Sequence, residues 1–222
     1  MKRMMIGLLF LAIAANAFAF YNPEQGRWLS RDPIGEKADP NLYRFVGNTP
    51  TTHYDADGRL SESACQTAVD SALKNNAKAK AILAEMKKRG CPDPAPFCRD
   101  CCGEEEKQKY AGYFDPESKV IHLCSNKFKT GTAVITSMVH EMIHALDDCK
   151  GTKWSDCSER ACSEIRAYDH GGTCAVGGAD RLSGETYRQC IERKATDSTT
   201  ADPNCTAQHV KDKMNECLGS GL

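Results

Sequence analysis

The sequence predicts an α+β domain that is mainly helical, cross-linked by disulfides, and furnished with a small hairpin or sheet ahead of its central helix. Several segments space their apolar residues as helices do, one short stretch alternates like paired strands, and thirteen cysteines are present. With 222 residues and 41% hydrophobic content, one main domain can bury an ordinary core. The net charge of -1 and the lack of any block of like charge exclude nucleic acid as a natural partner.

At the N-terminus, Lys2 and Arg3 precede an apolar run from Met4 to Ala15. Ala15-Asn16-Ala17 and Ala17-Phe18-Ala19 offer cleavage sites, so residues 1–19 read as a secretory signal. The run is shorter than the ~20 residues that cross a bilayer, and no stable membrane anchor is expected after cleavage. Every cysteine, from Cys65 to Cys217, lies downstream and would meet an oxidising compartment. An odd count leaves at least one thiol outside intramolecular pairs. Cys98-Arg99-Asp100-Cys101-Cys102 reads as disulfide cysteines rather than a zinc knuckle, because no second C-x-x-C follows at ribbon spacing.

Residues 20–60 are rich in Gly, Pro, Asp and Asn, with Asp32-Pro33, Asp39-Pro40, Gly47-Asn48 and Asp57-Gly58 marking turns between short strands. The wording YNPEQGRWLSRDPIG, then NLYRFVGNTPTTHYDADGR, resembles the end of the Rhs-repeat-associated core that precedes toxin tips in bacterial Rhs proteins. In that family two aspartate motifs release the tip by self-cleavage; they would fall at Asp32 to Gly35 and at Asp55 to Arg59. The second departs from the pattern at Ala56 and Arg59, which counts against self-cleavage. The resemblance implies a toxin or effector, with an immunity protein as partner.

Residues 61–222 form the main domain. Ala64, Ala68, Ala72, Leu73, Ile82, Leu83 and Met86 predict helix from Ser61 to Arg89, with Asn75-Asn76 as a break and Gly90 and Pro92 as stops. Gly112 to Phe114 and Lys119 to Cys124 flank a four-residue turn and predict a hairpin able to take a substrate edge-on. His122, in the second strand, reads as a packed or surface residue. Thr132 is the expected cap of the next helix. Asp156 and Glu159 suggest a capping box opening a helix from Cys157 to Tyr168. Ser183 to Thr196 and Cys205 to Leu218 complete the helices, separated by Asp202-Pro203-Asn204.

The central helix carries His140-Glu141-Met142-Ile143-His144. Histidines four apart share one helical face, so both rings reach one ion while the intervening glutamate stays beside it. A catalytic zinc site takes a third protein ligand and keeps a position for water. Glu164 is the candidate, 24 positions after His140 (164 minus 140), as in thermolysin-like proteases; Asp169 and His170 are alternatives, and a surface glutamate is the ordinary reading. The metzincin pattern would need glycine at 147 and histidine at 150, where Asp147 and Lys150 stand. Asp147 is placed either to orient His144 or simply at the surface. Glu141 is the expected general base, taking a proton from water activated by Zn2+. Tyr168, Arg166 and His170 are near in sequence as oxyanion donors, and none is singled out.

HEMIHALDDC, ACSEIRA, a Gly-rich stretch with Cys174, GYFDPESKVIHLC and the C-terminal CIERKA with Cys217 together resemble the mitochondrial inner-membrane metalloprotease family that processes an ATP synthase subunit. The likeness covers about 155 residues, with Cys102, Cys157 and Cys205 outside its pattern. It implies a zincin-like metalloprotease fold and carries metal ligation onto His140, His144 and Glu164 and catalysis onto Glu141. Joined to the N-terminal reading, it predicts an exported bacterial zinc metalloendopeptidase, periplasmic or secreted, acting on a protein or peptide. The alternative is a disulfide-stapled chaperone or assembly factor acting without proteolysis, as members of that family also assist assembly.

Overall fold

A computed structural model describes residues 21–22, 27–28, 60–101 and 110–222. The predicted signal, the proposed self-cleavage motifs and Cys102 lie outside the described residues. Two compact units divide near residue 56. In the first, β1 (Tyr21–Asn22) pairs antiparallel with β2 (Arg27–Trp28).

The second unit opens with α1 (Glu62–Asn75) and α2 (Ala77–Arg89). Asn76 is extended and breaks the run as predicted; its side chain accepts from the backbone of Lys78 and Ala79, so the break is also the cap of α2. Gly90 ends α2 in the left-handed conformation at φ 74°. The strands β3 (Phe97–Arg99), β4 (Gly112–Asp115) and β5 (Val120–Cys124) form one sheet in the order β3-β5-β4, with β3 parallel and β4 antiparallel to β5. Asp115 pairs with Val120, giving a connection of the expected four residues but one position later than predicted. Alternation sends Ile121 and Leu123 into the core and leaves His122 between Phe97 and Tyr113, its ring stacked 4.6 Å from that of Tyr113.

Helix α3 (Gly131–Cys149) follows. Its cap is Thr130, whose hydroxyl accepts from Ala133, not the predicted Thr132; Thr130 holds the extended backbone a cap requires and Thr132 is already helical. Next is α4 (Cys157–Gly171), which runs three residues past the expected Tyr168 because Gly172 supplies the left-handed stop only at φ 82°. Asp156 caps α4 as predicted, but Glu159 does not close the box: its carboxylate accepts from the Lys153 backbone instead. The last two helices are α5 (Tyr187–Thr199), which starts later than predicted and runs three residues past Thr196, and α6 (Ala207–Cys217), which is trimmed at both ends. A reciprocal Thr186–Gln189 box sets the start of α5 later than Ser183.

Two buried clusters build the unit. The first joins α1, α2, the sheet and α3 through residues such as Val69, Ile82, Ile121, Leu123, Met138 and Leu146. The second joins α4, α5 and α6 through Ala161, Ile165, Ile191, Val210 and Met214. Six disulfides take up twelve of the thirteen cysteines. Cys65–Cys98, Cys91–Cys149 and Cys101–Cys124 staple the first half; Cys157–Cys205, Cys162–Cys217 and Cys174–Cys190 staple the second. No disulfide among the described residues crosses from one half to the other, and the connecting chain is only residues 150–156. Cys157 and Cys205, both outside the family resemblance, are bonded to each other.

Candidate functional site

The two halves meet where α3 packs along α4. Helix α4 is two-faced at helical spacing: Ala161 and Ile165 enter the second cluster, whereas Ala167 enters the first. The helices are in contact at Gly171, where a Cβ would stand 3.4 Å from the Thr136 carbonyl and 3.6 Å from His140 Cβ. The α4 face that carries Ser163, Glu164 and Ala167 thereby meets the α3 face that carries His140, His144 and Asp147.

His140, His144 and Glu164 come together at this seam, their donor atoms all within 4.8 Å of one another. The two Nε2 atoms are 3.1 Å apart, and each lies 3.6 Å from a Glu164 carboxylate oxygen. Two nitrogens held tetrahedrally at 2.0–2.1 Å from one zinc ion would be about 3.3 Å apart. Glu164 Oε2 is buried and has no hydrogen-bond partner, which leaves a lone pair directed into the cluster. The donor set therefore fits one divalent metal.

Burial disfavours charge on both rings, but the outcomes differ. For His144 burial dominates and takes the pKa down to about 4, leaving a neutral ring. For His140 burial is outweighed by the Glu164 carboxylate beside it and the charge of Glu141, and its pKa rises. Glu164 is held below its ordinary value by the two histidines despite burial.

Glu141, next to His140 on α3, reaches toward β4. Its residue is 7% exposed, and burial pushes its carboxyl up to about 7, against the pull of His140. Gly112 lies beside it: a Cβ at that position would come 2.9 Å from Leu123 Cδ2, 3.2 Å from the His122 carbonyl and 3.4 Å from Glu141 Cγ. A buried carboxyl beside the metal donors, poised near neutrality, is suited to exchanging protons with water.

The neighbours of the site were only partly legible in the sequence. Asp147 is neither a surface residue nor a direct partner of His144. It is 2% exposed and sits 2.6 Å from Arg166 Nη1, with Lys150 at 3.7 Å. The partner of His144 Nδ1 is Ser163 Oγ at 2.9 Å, a residue without sequence signal because only the helix–helix register reveals it. Trp154 was also missed. Its ring is edge-on to His144 at 5.7 Å and its indole N–H donates to Asp148, which in turn pairs with Lys119.

The alternative ligands are engaged elsewhere. Asp169 accepts from the Tyr187 hydroxyl and the Gly219 backbone, and His170 Nε2 lies against the Ser220 carbonyl. Of the oxyanion candidates, Arg166 is spent on Asp147, while Tyr168 places its ring 4.5 Å from that of His140 and its hydroxyl on Ser198.

A helix bearing two histidines one turn apart, a glutamate from a second helix and a buried carboxyl beside them are the parts of a metallopeptidase centre. The model of the peptidase M76 family matches residues 63–220, and the chain belongs to that family. Among its relatives, the human protein named mitochondrial inner membrane protease ATP23 homolog is 28% identical over 207 residues, covering 89% of this chain and 81% of the human one. The Schizosaccharomyces pombe mitochondrial inner membrane protease atp23 is 32% identical over 132 residues, 54% of this chain and 68% of its own. The zebrafish (Danio rerio) homolog is 28% identical over 214 residues, covering 86% and 82%. No solved structure matches.

These relatives correct the expected location. They are eukaryotic mitochondrial inner membrane proteases, not periplasmic or secreted bacterial proteins. They give no support to the toxin reading or to an immunity partner. Among the described residues no helix is long and apolar enough to cross a membrane.

Proposed function

We propose that the chain is a zinc-dependent metalloendopeptidase in which His140, His144 and Glu164 hold the ion and Glu141 is the general base. The observation that carries this reading is the convergence of those three donors from two helices, with a buried carboxylate oxygen that accepts no hydrogen bond. Zinc bound there would act as a Lewis acid on the scissile carbonyl and lower the pKa of a water molecule.

The residues of the chain supply the rest. β4 is an edge strand of the described sheet and passes over Glu141 at Gly112. An extended peptide pairing with that edge would lie along the seam, its backbone fixed by strand hydrogen bonds. The Glu141 carboxylate takes a proton from the attacking water and returns it to the departing amine. Burial of Glu141 matches this double duty, because a carboxyl near neutrality gives up a proton as readily as it takes one.

The test is cleavage of an unfolded protein by the full oxidised chain and by its Glu141→Gln variant, with metal content measured on both. The expected result is equal metal content and a rate lower by roughly 10²–10⁴ in the variant. Equal cleavage by both proteins would remove Glu141 from the mechanism. Bound metal with no cleavage by either would favour a role in assembly.

A further inference from the structure

We propose that Ser163 is a positioning residue for the metal centre: its hydroxyl accepts the Nδ1–H of His144 and so fixes the ring in the tautomer that presents Nε2 to the ion. The inference rests on the metal reading above and deepens it.

The geometry leaves two assignments for the 2.9 Å contact between Ser163 Oγ and His144 Nδ1. A neutral imidazole carries one N–H. If Ser163 donated, the ring proton would sit on Nε2, aimed at His140 Nε2 only 3.1 Å away, and would occupy the lone pair a metal needs. If Ser163 accepts, both Nε2 atoms are available to one ion. The second assignment requires another acceptor for the serine's own proton. Asp147 is the acceptor we assign: its carboxylate is buried, neither oxygen accepts a hydrogen bond in the structure, and Ser163 is among the groups that favour its charge. Burial raises the pKa of Asp147, and Arg166, 2.6 Å away, works against that rise.

The chain of contacts runs from Arg166 through Asp147 and Ser163 to His144, crossing the seam three times. Ser163 and His144 are both buried, at 2% and 8% exposure, so no solvent molecule need stand in for the hydroxyl. Ser163 also immediately precedes Glu164. One turn of α4 therefore delivers a ligand to the ion and an acceptor to the opposite face of another ligand's ring. Partners of this kind, removed, typically lower metal affinity 10–100-fold.

The experiment measures zinc affinity by chelator competition on the full oxidised chain, for wild type, Ser163→Ala and Ser163→Thr, alongside the thermal midpoint of each protein stripped of metal. The expected result is a roughly 10–100-fold loss for Ser163→Ala, most of it restored by Ser163→Thr, with the metal-free midpoints close together. A loss of affinity that tracks a fall in the metal-free midpoint would mean a packing role and overturn the proposal. Nitrogen-15 NMR of the zinc-loaded wild type provides a reading that needs no variant: His144 should carry its proton on Nδ1, and a proton on Nε2 would overturn the assignment. Tight zinc binding by wild type with Ser163→Ala within about twofold would overturn the role of Ser163 alone; no zinc in the wild type would overturn the metal reading with it.

Discussion

Single residues here act by removing alternatives. Gly112 matters because of what it lacks, since a side chain there would press on Leu123 and the His122 carbonyl beside Glu141. Replacing Gly112 with valine should destabilise the unit by about 1–3 kcal/mol, as overpacked cores do, and should depress cleavage even at temperatures where the protein stays folded. Denaturant titration and cleavage assays on the same samples check both. A second residue-scale prediction concerns Glu185, whose carboxylate accepts from Arg193 and from the Leu182 backbone. These bonds, the Arg193 bond first, bring its pKa from 4.5 to about 2. A depressed carboxylate contributes stability that is present above its unfolded pKa and lost as pH falls toward the folded one. The difference in thermal midpoint between wild type and Glu185→Gln should therefore be full near neutrality and shrink between 4.5 and about 2; a constant difference across that window would contradict the linkage.

At the scale of elements, periodicity and caps carried most of the helices, and where they failed the reason is local. Thr130 and Thr132 are chemically equal caps, and only backbone conformation selects the first. The end of α4 was read too early because the stop is the second glycine of Gly171-Gly172, the first being a packing residue against His140. The spacing of His140 and His144 fixed their common face in advance, because both lie on one helix. Glu164 was within reach by spacing from His140 and by resemblance. Ser163 and the burial of Asp147 were not, since they depend on how α4 is rotated against α3. Disulfide pairing was equally hidden, being a property of the folded contacts. The staple Cys162–Cys217 ties α4 to α6 and closes a long loop. Replacing both cysteines by alanine should cost about 2–5 kcal/mol in a denaturant titration and should lower zinc affinity too, since α4 carries Glu164.

For the whole unit, the arrangement of cross-links defines the question. Each half is stapled by three disulfides, and the seam between them is held by polar contacts and close helix packing alone. His140 and His144 belong to one half and Glu164 to the other, so an ion bound by all three joins what no disulfide among the described residues joins. Zinc at about a thousand times its dissociation constant would add about 4 kcal/mol of stability. Hydrogen exchange should show where: removing zinc is expected to raise exchange along α3 and α4 at their contact while α1, α5 and α6 change little. Uniform loosening would mean that the site stabilises the fold without bridging its halves. The most direct test of the central claim is zinc content together with zinc K-edge X-ray absorption on the full oxidised chain. The account predicts about one zinc per chain with nitrogen and oxygen neighbours at about 2.0–2.1 Å. Absence of zinc, or sulfur neighbours at about 2.3 Å, would contradict a centre built from His140, His144 and Glu164.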